Sequence, residues 1–307
     1  MTGGESVRPE GLSVVIPTLG RGVELIGTIR GMVGGSRPPD EILVVDQTPR
    51  HAPATAAALS DLDRSGAIRW LRLARASIPH AMNVGLVSAR NPIVLFVDDD
   101  VNPDSRLVET HLRAHQGEGC EVVGGQVLQP GEEPDGSAGP FRFNSTRRGW
   151  ITDLIACNFS VRRDVALEIG GFDENFVRVA YRFETEFAER LGAAGRRIVF
   201  EPRASLRHLK VARGGTRTYG HHLRTARPAH SVGAYYYLLR SSSDGPRPGR
   251  ILNRFLGSIR TRHHLRRPWW IVPTLVAEAL GFVWACTLVL RGPRLIDAAR
   301  AAEWRHP

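Results

Sequence analysis

The stretch IVLFVDDD, residues 93–100, decides the fold. Its first five residues form an unbroken apolar run, which is typical of a strand that is covered on both faces in a parallel sheet. Three carboxylates follow without a gap, at Asp98, Asp99 and Asp100. Because α/β sheets bind their ligands beyond the carboxyl ends of the strands, we expect a functional site directly after this strand.

The chain around this strand repeats one pattern, in which a short apolar run is followed by a stretch of helical periodicity. We expect strands at 12–16, 42–45 and 68–71, and helices at 23–32, 54–62, 80–88 and 105–115. This alternation predicts the α/β class, with a mostly parallel central sheet flanked by helices. Pro17, Thr18 and Asp46 each follow a predicted strand, so we expect them at the same sheet edge as the aspartates.

The second half of the chain is expected to add further strands, helices and loops. Strands are predicted at 121–128, 155–161 and 197–200, helices at 183–194 and 232–239, an exposed loop at 129–140 and a mobile loop at 212–217. We therefore divide the chain into a main domain at 1–210, with halves at about 11–116 and 117–210, and a basic α-helical C-terminal extension at 211–307.

Composition places the chain among globular proteins. It has 307 residues, 42% hydrophobic and 23% charged, which excludes collagen, coiled coil and wholesale disorder. Cys120, Cys157 and Cys286 lie far apart without C-x-x-C spacing, so we predict neither a disulfide framework nor a thiolate zinc site, and a reducing compartment fits best. The first residues lack the apolar segment of a secretory signal, so we expect a cytoplasmic location.

Positive charge is concentrated toward the C-terminal end. The formal net charge is +10, yet residues 203–307 contain 19 Lys+Arg against 4 Asp+Glu, and the rest of the chain is net negative. Attraction to nucleic acid, to anionic lipid or to a diphosphate ligand would each account for this distribution. An Arg-rich genome is an equally open explanation, since Lys210 is the only lysine.

One segment, 269–290, is apolar enough to interact with a membrane. It contains a single charge, Glu278, and as a helix it would be ~33 Å long, about the thickness of the bilayer hydrocarbon. Flanking arginines and Trp269, Trp270 and Trp284 are typical of a membrane interface. Glu278 would cost about 2.5–3.5 kcal/mol at the bilayer centre. We predict membrane association, by spanning or by lying in plane, with packing on the protein as the alternative.

The three consecutive carboxylates are candidates for a metal site. At the end of a buried strand, mutual repulsion would raise their pKa values unless a cation were bound. Mg²⁺ and Mn²⁺ prefer oxygen ligands, and they often bind one or two carboxylates together with substrate phosphates. A solvated acidic turn before the helix at 105–115 is an equally open interpretation of the acids alone.

Six segments in a fixed order favour a functional interpretation of the acidic cluster. They are 12–18, 42–46, 81–85, 97–100, 170–173 and 183–191. In this order and spacing the chain resembles the family 2 glycosyltransferases over roughly residues 11–210. The resemblance implies the GT-A nucleotide-diphosphosugar transferase fold, transfer with inversion, a nucleotide-binding half at 11–116 and an acceptor half at 117–210.

The resemblance also implies the residues of a donor site. Nucleotide-sugar contacts are assigned to Pro17, Thr18, Arg21, Asp46, Asn83, Asp98 and Asp99. Asp46 would meet the base, and Asp98 and Asp100 would be the acids of the family's D-x-D motif, near the ribose and on the metal respectively. His208 falls where family members complete the metal site. The implied metal ligands are Asp100, Asp98 and His208, and the implied cofactor is Mn²⁺ or Mg²⁺.

On the acceptor side, the resemblance implies a catalytic base and a turn. Glu184 takes the place of the general base, although Phe183 stands where the family usually has another acid. The remaining acceptor-side residues are Gly171, Phe172, Asp173 and Glu186.

Two further positions depart from the family pattern. Met82 stands where an arginine often faces the phosphates, and Arg72 or Arg75 could substitute for it; Leu19 stands where an aromatic residue is common.

The sequence thus predicts transfer of a sugar from a nucleotide-diphosphate donor to a glycan or lipid-linked acceptor, for cell-envelope or exopolysaccharide synthesis. The expected partners are the donor, the acceptor and the inner face of the cell membrane, without nucleic acid. Two alternatives remain at this point. One is a nucleotidyltransferase of related fold, and the other is a non-catalytic basic protein that binds lipid or nucleic acid through residues 203–307.

Overall fold

A computed structural model describes residues 11–117, 120–240, 248–297 and 304. Its described strands form one mixed sheet in the order β3-β2-β1-β4-β8-β6-β9-β5, with β7 paired to β9. The strands are β1 Leu12–Thr18, β2 Glu41–Asp46, β3 Arg69–Arg72, β4 Ile93–Val97, β5 Val101–Pro103, β6 Val122–Leu128, β7 Gly149–Ile151, β8 Asn158–Arg162 and β9 Ile198–His208.

Helices cover the sheet and form the C-terminal part of the chain. They are α1 Val23–Val33, α2 Pro53–Arg64, α3 Ile78–Ser88, α4 Leu107–His115, α5 Arg163–Glu168, α6 Phe183–Ala193, α7 Val232–Arg240, α8 Pro248–Ile259, α9 Arg262–Arg266 and α10 Ile271–Leu290. Short 3₁₀ helices lie at Gly215–Tyr219, Pro228–His230 and Pro268–Trp270.

The four strands that the sequence predicts in the first half are parallel neighbours. β1 pairs with β2 and with β4, and β2 pairs with β3, all in parallel. Thr18 is in register with Asp46, so the ends of β1 and β2 meet at one edge, beside the end of β4. The predicted α/β class and the strand-end location of the aspartates are therefore confirmed.

The unbroken apolar strands have a buried side chain on both faces of the sheet. Val15, Leu43 and Phe96 belong to one core cluster, whereas their neighbours Val14 and Leu95 belong to another. Because successive side chains of a strand point to opposite faces, the two clusters are the two layers of the core. The first layer contains the stacked rings of Phe172 and Phe187, with Phe159 tilted against them, and continues into α7 and α10.

The second half of the sheet differs from the prediction in length. β9 extends to His208 instead of ending at residue 200, because beyond an irregularity at Gly125/Gln126 it continues to pair with β6 and then pairs with β5. β5 and β7 have three residues each, too few for a periodic pattern to reveal. The extension of β9 matters because it places His208 opposite Val101, next to the aspartates.

The C-terminal helix α10 packs on the protein along one face. Thr274, Glu278 and Gly281 lie on its buried face, and a Cβ atom at Gly281 would come within 2.1 Å of Ser231 Oγ. Glu278 pairs with Arg254 at 3.3 Å. The segment Pro268–Leu290 is nevertheless long and apolar enough to cross a membrane. The polar residues of α10 therefore face protein, where Arg254 gives Glu278 a partner of opposite charge.

Candidate active site

A cavity of about 290 Å³ lies at the carboxyl ends of β1, β2 and β4. We call it the strand-end cavity. Seven predicted site residues line it, namely Pro17, Thr18, Arg21, Asp98, Asp99, Asp100 and His208. The sheet therefore brings together residues that are up to 191 positions apart in the sequence, from the ends of β1, β2 and β4 and from the end of β9.

Two of the three aspartates are bound to a buried arginine. Arg21 Nε lies 2.8 Å from Asp99 Oδ1, and its Nη2 lies 2.9 Å from Asp100 Oδ2. Its Nη1 donates to the backbone carbonyls of Val211 and Arg213. All three guanidinium nitrogens thus have protein partners, and Arg21 joins the acidic cluster to the chain that follows β9. Its role as a nucleotide contact stays a prediction.

Asp99 forms structural contacts within the site. Besides the ion pair with Arg21, it accepts a hydrogen bond from Thr18 Oγ1 at 2.7 Å. Both residues are almost fully buried, because their side chains join the ends of β1 and β4. The role of Asp99 as a nucleotide-sugar contact stays a prediction, and both of its carboxylate oxygens already have a protein partner, Thr18 or Arg21.

Asp98 and Asp100 differ in environment despite being two residues apart. Burial would raise the pKa of Asp100, but hydrogen bonding from His208 and the charge of Arg21 bring it below its usual range. The pKa of Asp98 is raised to about 6, mainly because protein atoms exclude water from its carboxylate, with repulsion from Asp99 and Asp100 adding to the effect. Asp98 also keeps 40% of its side chain exposed, so its carboxylate can meet a cation from the cavity.

The predicted metal ligands are brought together. His208 Nε2 lies 3.2 Å from Asp100 Oδ1 and 3.7 Å from Asp98 Oδ2. Its Nδ1 is buried and has no hydrogen-bond partner among the described residues. Carboxylate oxygens with one imidazole nitrogen suit Mn²⁺ or Mg²⁺, and the buried Nδ1 of the same ring leaves one nitrogen of His208 open to a ligand or water. The residues therefore fit the implied ion.

Cys157 is a neighbour of this cluster that sequence reasoning missed. Ligand atoms of Asp98, Cys157 and His208 all lie within 4.8 Å of one another. Burial raises the pKa of the Cys157 thiol well above its usual range, so Asp98 and His208 are the better ligands for a hard ion. No spacing motif signals the cysteine, because it reaches the cluster only through the pairing of β8 with β4.

The segment after β9 closes one side of the strand-end cavity. The backbone N–H of Val211 donates to Asp100 Oδ2 at 2.9 Å, and that of Gly215 donates to the Leu19 carbonyl at 2.7 Å. Gly214 has a φ of +78°, and a Cβ atom there would lie 2.7 Å from the carbonyl oxygen of Gly20. The loop predicted at 212–217 is therefore docked on the end of β1, with Arg217 lining the cavity.

Asp46 is placed at the predicted strand end, but its carboxylate has protein partners. It accepts hydrogen bonds from the Thr48 N–H at 2.8 Å and Trp70 Nε1 at 2.8 Å, and it lies 2.7 Å from His51 Nε2. Its neighbour Gln47 lines the cavity instead. Base contact by Asp46 stays a prediction, and it would have to replace one of these partners.

Asn83 lies beneath the site and does not line the strand-end cavity. It is fully buried, and its amide donates to the Phe172 carbonyl and accepts from the Phe172 N–H, both at 2.8 Å. These bonds fix the Gly-Gly-Phe-Asp turn, in which Gly170 and Gly171 have positive φ. The role of Asn83 as a nucleotide-sugar contact stays a prediction.

The other acceptor-side predictions are also buried in the framework. Phe172 lies in the aromatic core. Asp173 accepts from Tyr236 Oη at 2.6 Å and from the Arg294 N–H at 2.9 Å, which joins the turn to α7 and the chain after α10. Glu186 forms a two-pronged ion pair with Arg190. Direct acceptor contact by Gly171, Phe172, Asp173 or Glu186 stays a prediction, and in this arrangement all four residues are buried.

Glu184 differs from its neighbour Glu186. It is half-buried at the first turn of α6, and its side chain makes no hydrogen bond to another described residue. Burial raises the pKa of Glu184 to about 7, and the charges of Asp153 and Asp98 contribute to the increase. A carboxylate with a pKa near 7 and no fixed partner can accept a proton from a hydroxyl at neutral pH.

Comparisons with known proteins agree with this geometry. The sequence model of glycosyl transferase family 2 matches residues 13–170, just over half of the chain. No curated protein matches the sequence significantly.

Among solved structures, the mannosyltransferase PcManGT from Pyrobaculum calidifontis, in complex with GDP-Man and Mn²⁺, is similar over 98% of this chain and 84% of that chain, with a TM-score of 0.58 and 17% identity. GalNAc-T7 with UDP, GalNAc and Mn²⁺ is similar over 66% of this chain, with a TM-score of 0.56 and 14% identity. The chain spans 44% of that second protein. At these identities the two structures show a common fold.

Proposed function

Because the chain belongs to glycosyl transferase family 2, and is accordingly a nucleotide-sugar-dependent glycosyltransferase, we propose that it transfers a hexose-type sugar with inversion to a glycan or lipid-linked acceptor. The observation that supports this most directly is the division of acids in one site. Asp98 faces the strand-end cavity beside His208, while Glu184 stands nearby without a partner. Family membership argues against both the nucleotidyltransferase and the non-catalytic binding protein.

The strand-end cavity is proposed to bind the nucleoside diphosphate. Pro17, Thr18 and Gln47 line its nucleoside side, and Lys210 and Arg217 provide positive charge on the opposite wall. Asp98, Asp100 and His208 would hold a divalent ion, which offsets the diphosphate charge as the leaving group departs. Both similar solved structures contain Mn²⁺ together with a nucleotide or nucleotide sugar.

Glu184 is proposed as the general base. Its carboxylate takes the proton of the acceptor hydroxyl while the hydroxyl oxygen attacks the anomeric carbon and the bond to the diphosphate breaks. One displacement of this kind inverts the anomeric configuration. Arg190 holds Glu186 away from this role by a bidentate ion pair, with Nε–Oε1 at 2.7 Å and Nη2–Oε2 at 2.9 Å.

Titration of UDP and of GDP into the full chain, with Mn²⁺ and separately with EDTA, tests the donor site. We expect one of the two nucleotides to bind in a metal-dependent manner, which would also identify the donor nucleotide. If neither nucleotide binds more tightly with metal, the donor-site assignment fails. Product NMR with the corresponding sugar nucleotide then reports the anomeric configuration, and retention would contradict the single displacement.

We also propose that the protein works at the inner face of the cell membrane, with α10 in the plane of the interface. Its outward face is an exposed apolar stripe with helical spacing, formed by Val272, Val276, Leu280, Val283 and Leu290, after Trp269. The opposite face is packed on the protein, as the Glu278–Arg254 pair shows, which favours a peripheral mode over spanning.

Vesicle sedimentation tests this location. The full chain should sediment with phosphatidylcholine vesicles that contain phosphatidylglycerol, and alkaline carbonate should release it. Leu280→Glu should weaken binding, whereas Val33→Glu, at an exposed apolar position at the end of α1, should not. Resistance to carbonate would indicate that α10 spans the membrane. Equal binding of both variants would show that the apolar stripe does not contact the membrane.

A further inference from the structure

A second cavity, of about 560 Å³, adjoins the strand-end cavity. We call it the arginine cavity because Arg75, Arg178 and Arg294 line it. Ser77 and Arg178 line both cavities, so the two are neighbours across these residues. Arg75, which the resemblance offers as a substitute for a phosphate-facing arginine, lines this cavity and not the strand-end cavity.

The arginine cavity carries an excess of positive charge. Its carboxylate, Glu174, lies 3.6 Å from Arg294 Nη2 and 3.1 Å from His80 Nδ1, so it already has basic partners. Among the described residues, no carboxylate pairs with Arg75 or Arg178. Two exposed guanidinium groups without an anion in one concave surface match a phosphate or diphosphate, which arginine binds through parallel N–H donors.

Arg178 is held between the two cavities by an unusual backbone. Its φ is 63°, and Ala180 and Arg182, the second and fourth residues after it, also have positive φ values of 55° and 77°. Such conformations are uncommon for residues with a Cβ atom, and they concentrate at ligand-binding sites. The segment leads directly into α6, which begins with Phe183 and Glu184. The strained segment therefore connects the arginine cavity to the proposed base.

The far side of the arginine cavity is aromatic and belongs to α10. Trp284 lines the cavity, and the guanidinium carbon of Arg178 lies 5.7 Å from the centre of its ring. Trp284 is next to Val283, a member of the exposed apolar stripe of α10. A ligand in this cavity would thus have cationic groups near the sugar donor and an apolar surface leading away from it.

We propose that the arginine cavity binds the phosphate or diphosphate that joins the sugar of a lipid-linked acceptor to its lipid, with Arg75 and Arg178 on the phosphate oxygens and the lipid chain leaving along α10. This inference rests on the proposed function and specifies its acceptor class. A neutral glycan would gain nothing from two unpaired guanidinium groups, whereas a phosphorylated lipid uses both the charge and the apolar stripe.

Calorimetric titration of farnesyl diphosphate into the full chain, in EDTA, tests the inference. EDTA prevents a metal ion in the strand-end cavity from holding the probe. Arg75 lines the arginine cavity alone, so Arg75→Gln is the principal variant, and Arg178→Gln is the second. Each should weaken binding about 10- to 100-fold, as expected for loss of a charge-assisted contact. Arg113→Gln, on the exposed surface of α4, removes the same charge elsewhere and should have no effect.

Two further probes distinguish a lipid phosphate from a free phosphate anion as the ligand of this cavity. Inorganic pyrophosphate lacks the chain and farnesol lacks the anion, so each should bind at least tenfold more weakly than farnesyl diphosphate. Equal affinity for pyrophosphate would reduce the cavity to a free-anion site and overturn the lipid assignment. Unchanged farnesyl diphosphate binding in Arg75→Gln and Arg178→Gln would overturn the site itself.

Nucleotide titration of the same protein distinguishes this failure from failure of the proposed function. If UDP or GDP binds with Mn²⁺ while farnesyl diphosphate binding does not respond to the arginine variants, only the acceptor inference is wrong. If neither nucleotide binds with metal, the donor assignment is wrong. Metal-dependent nucleotide binding by Arg75→Gln also shows that this variant is folded.

Discussion

The donor-side acids Asp99 and Asp100 and the acceptor-side acid Glu184 lie in different environments. Asp99 and Asp100 are bound by Arg21 and by backbone or hydroxyl donors, and the pKa of Asp100 lies below its usual range. Glu184 has no such partner, and its pKa is raised to about 7. The difference indicates that the partnered acids hold the site together, and in the case of Asp100 also face the proposed metal site, whereas Glu184 is free to accept a proton.

Substitution of the proposed base should produce the largest effect. Glu184→Gln should lower turnover by about 10²–10⁴-fold, because an amide of nearly the same shape cannot accept the hydroxyl proton. Nucleotide affinity should be retained. Steady-state kinetics and nucleotide titration measure the two quantities on the same protein.

Glu186→Gln is the matched control for this substitution. Since Glu186 is paired with Arg190, its loss should lower thermal stability more than turnover. A greater loss of turnover in Glu186→Gln than in Glu184→Gln would place the base two residues further along α6.

The contrast between Asp98 and Asp100 gives the next largest effect. Asp98→Asn should reduce metal-dependent nucleotide affinity by at least about 100-fold. Loss of a residue that binds the metal should have a greater effect than loss of a residue that only supports a metal ligand. The melting temperature should change little, because Asp98 is partly exposed.

Asp100→Asn should also weaken metal-dependent binding, and it should in addition destabilise the fold, by about 1.5–3 kcal/mol, because Arg21 and the Val211 N–H lose a charged acceptor. Titration and thermal denaturation of both variants separate the two roles. Equal loss of stability would contradict the distinction drawn between them.

The pH dependence of turnover tests the environment of Glu184. With metal and both substrates saturating, turnover should rise with pH through about 7, the pKa of Glu184, because only the ionised carboxylate accepts the proton. One pH unit below that pKa, the rate should be about tenfold below its plateau. A profile that stays flat between about pH 5 and about pH 8 would contradict the assignment.

The docked loop after β9 provides a smaller test. Gly214→Ala should weaken nucleotide binding by about tenfold, because the new Cβ atom would meet the Gly20 carbonyl at 2.7 Å and displace the loop from the end of β1. Gly220→Ala is a close control, since Gly220 also has positive φ but no atom within 4 Å of the added Cβ. Equal effects of the two variants would mean that backbone strain, and not the contact with Gly20, controls the loop.

The smallest expected effect is on stability. The folded-state pKa of Glu184 is raised from 4.5 to about 7, so the folded state binds the proton more tightly and stability falls as pH rises across this interval. Glu184→Gln removes this contribution, and its melting temperature should exceed that of the wild type at pH above about 7 but not at pH below about 4.5. Calorimetry in the two buffers measures the difference, and a constant offset at both pH values would contradict the raised pKa.

The sequence by itself determined the parallel half of the sheet and the edge where the site lies. Unbroken apolar runs such as 93–97 are local signals, and the direction of a strand fixes where the residues after it must go. It also identified Asp98, Asp100 and His208 as a group, through the resemblance, and the structure brings them within reach of one ion.

Tertiary structure alone decided how those residues are used. Arg21 is 78 positions from Asp99, yet their ion pair separates the framework acids from Asp98. Asn83 holds the turn at Phe172, and Cys157 reaches His208, through contacts that no periodicity or spacing encodes. Strand and helix patterns depend on neighbours along the chain, whereas burial, pairing and pKa depend on groups brought together from distant positions, so only the folded chain could assign these roles.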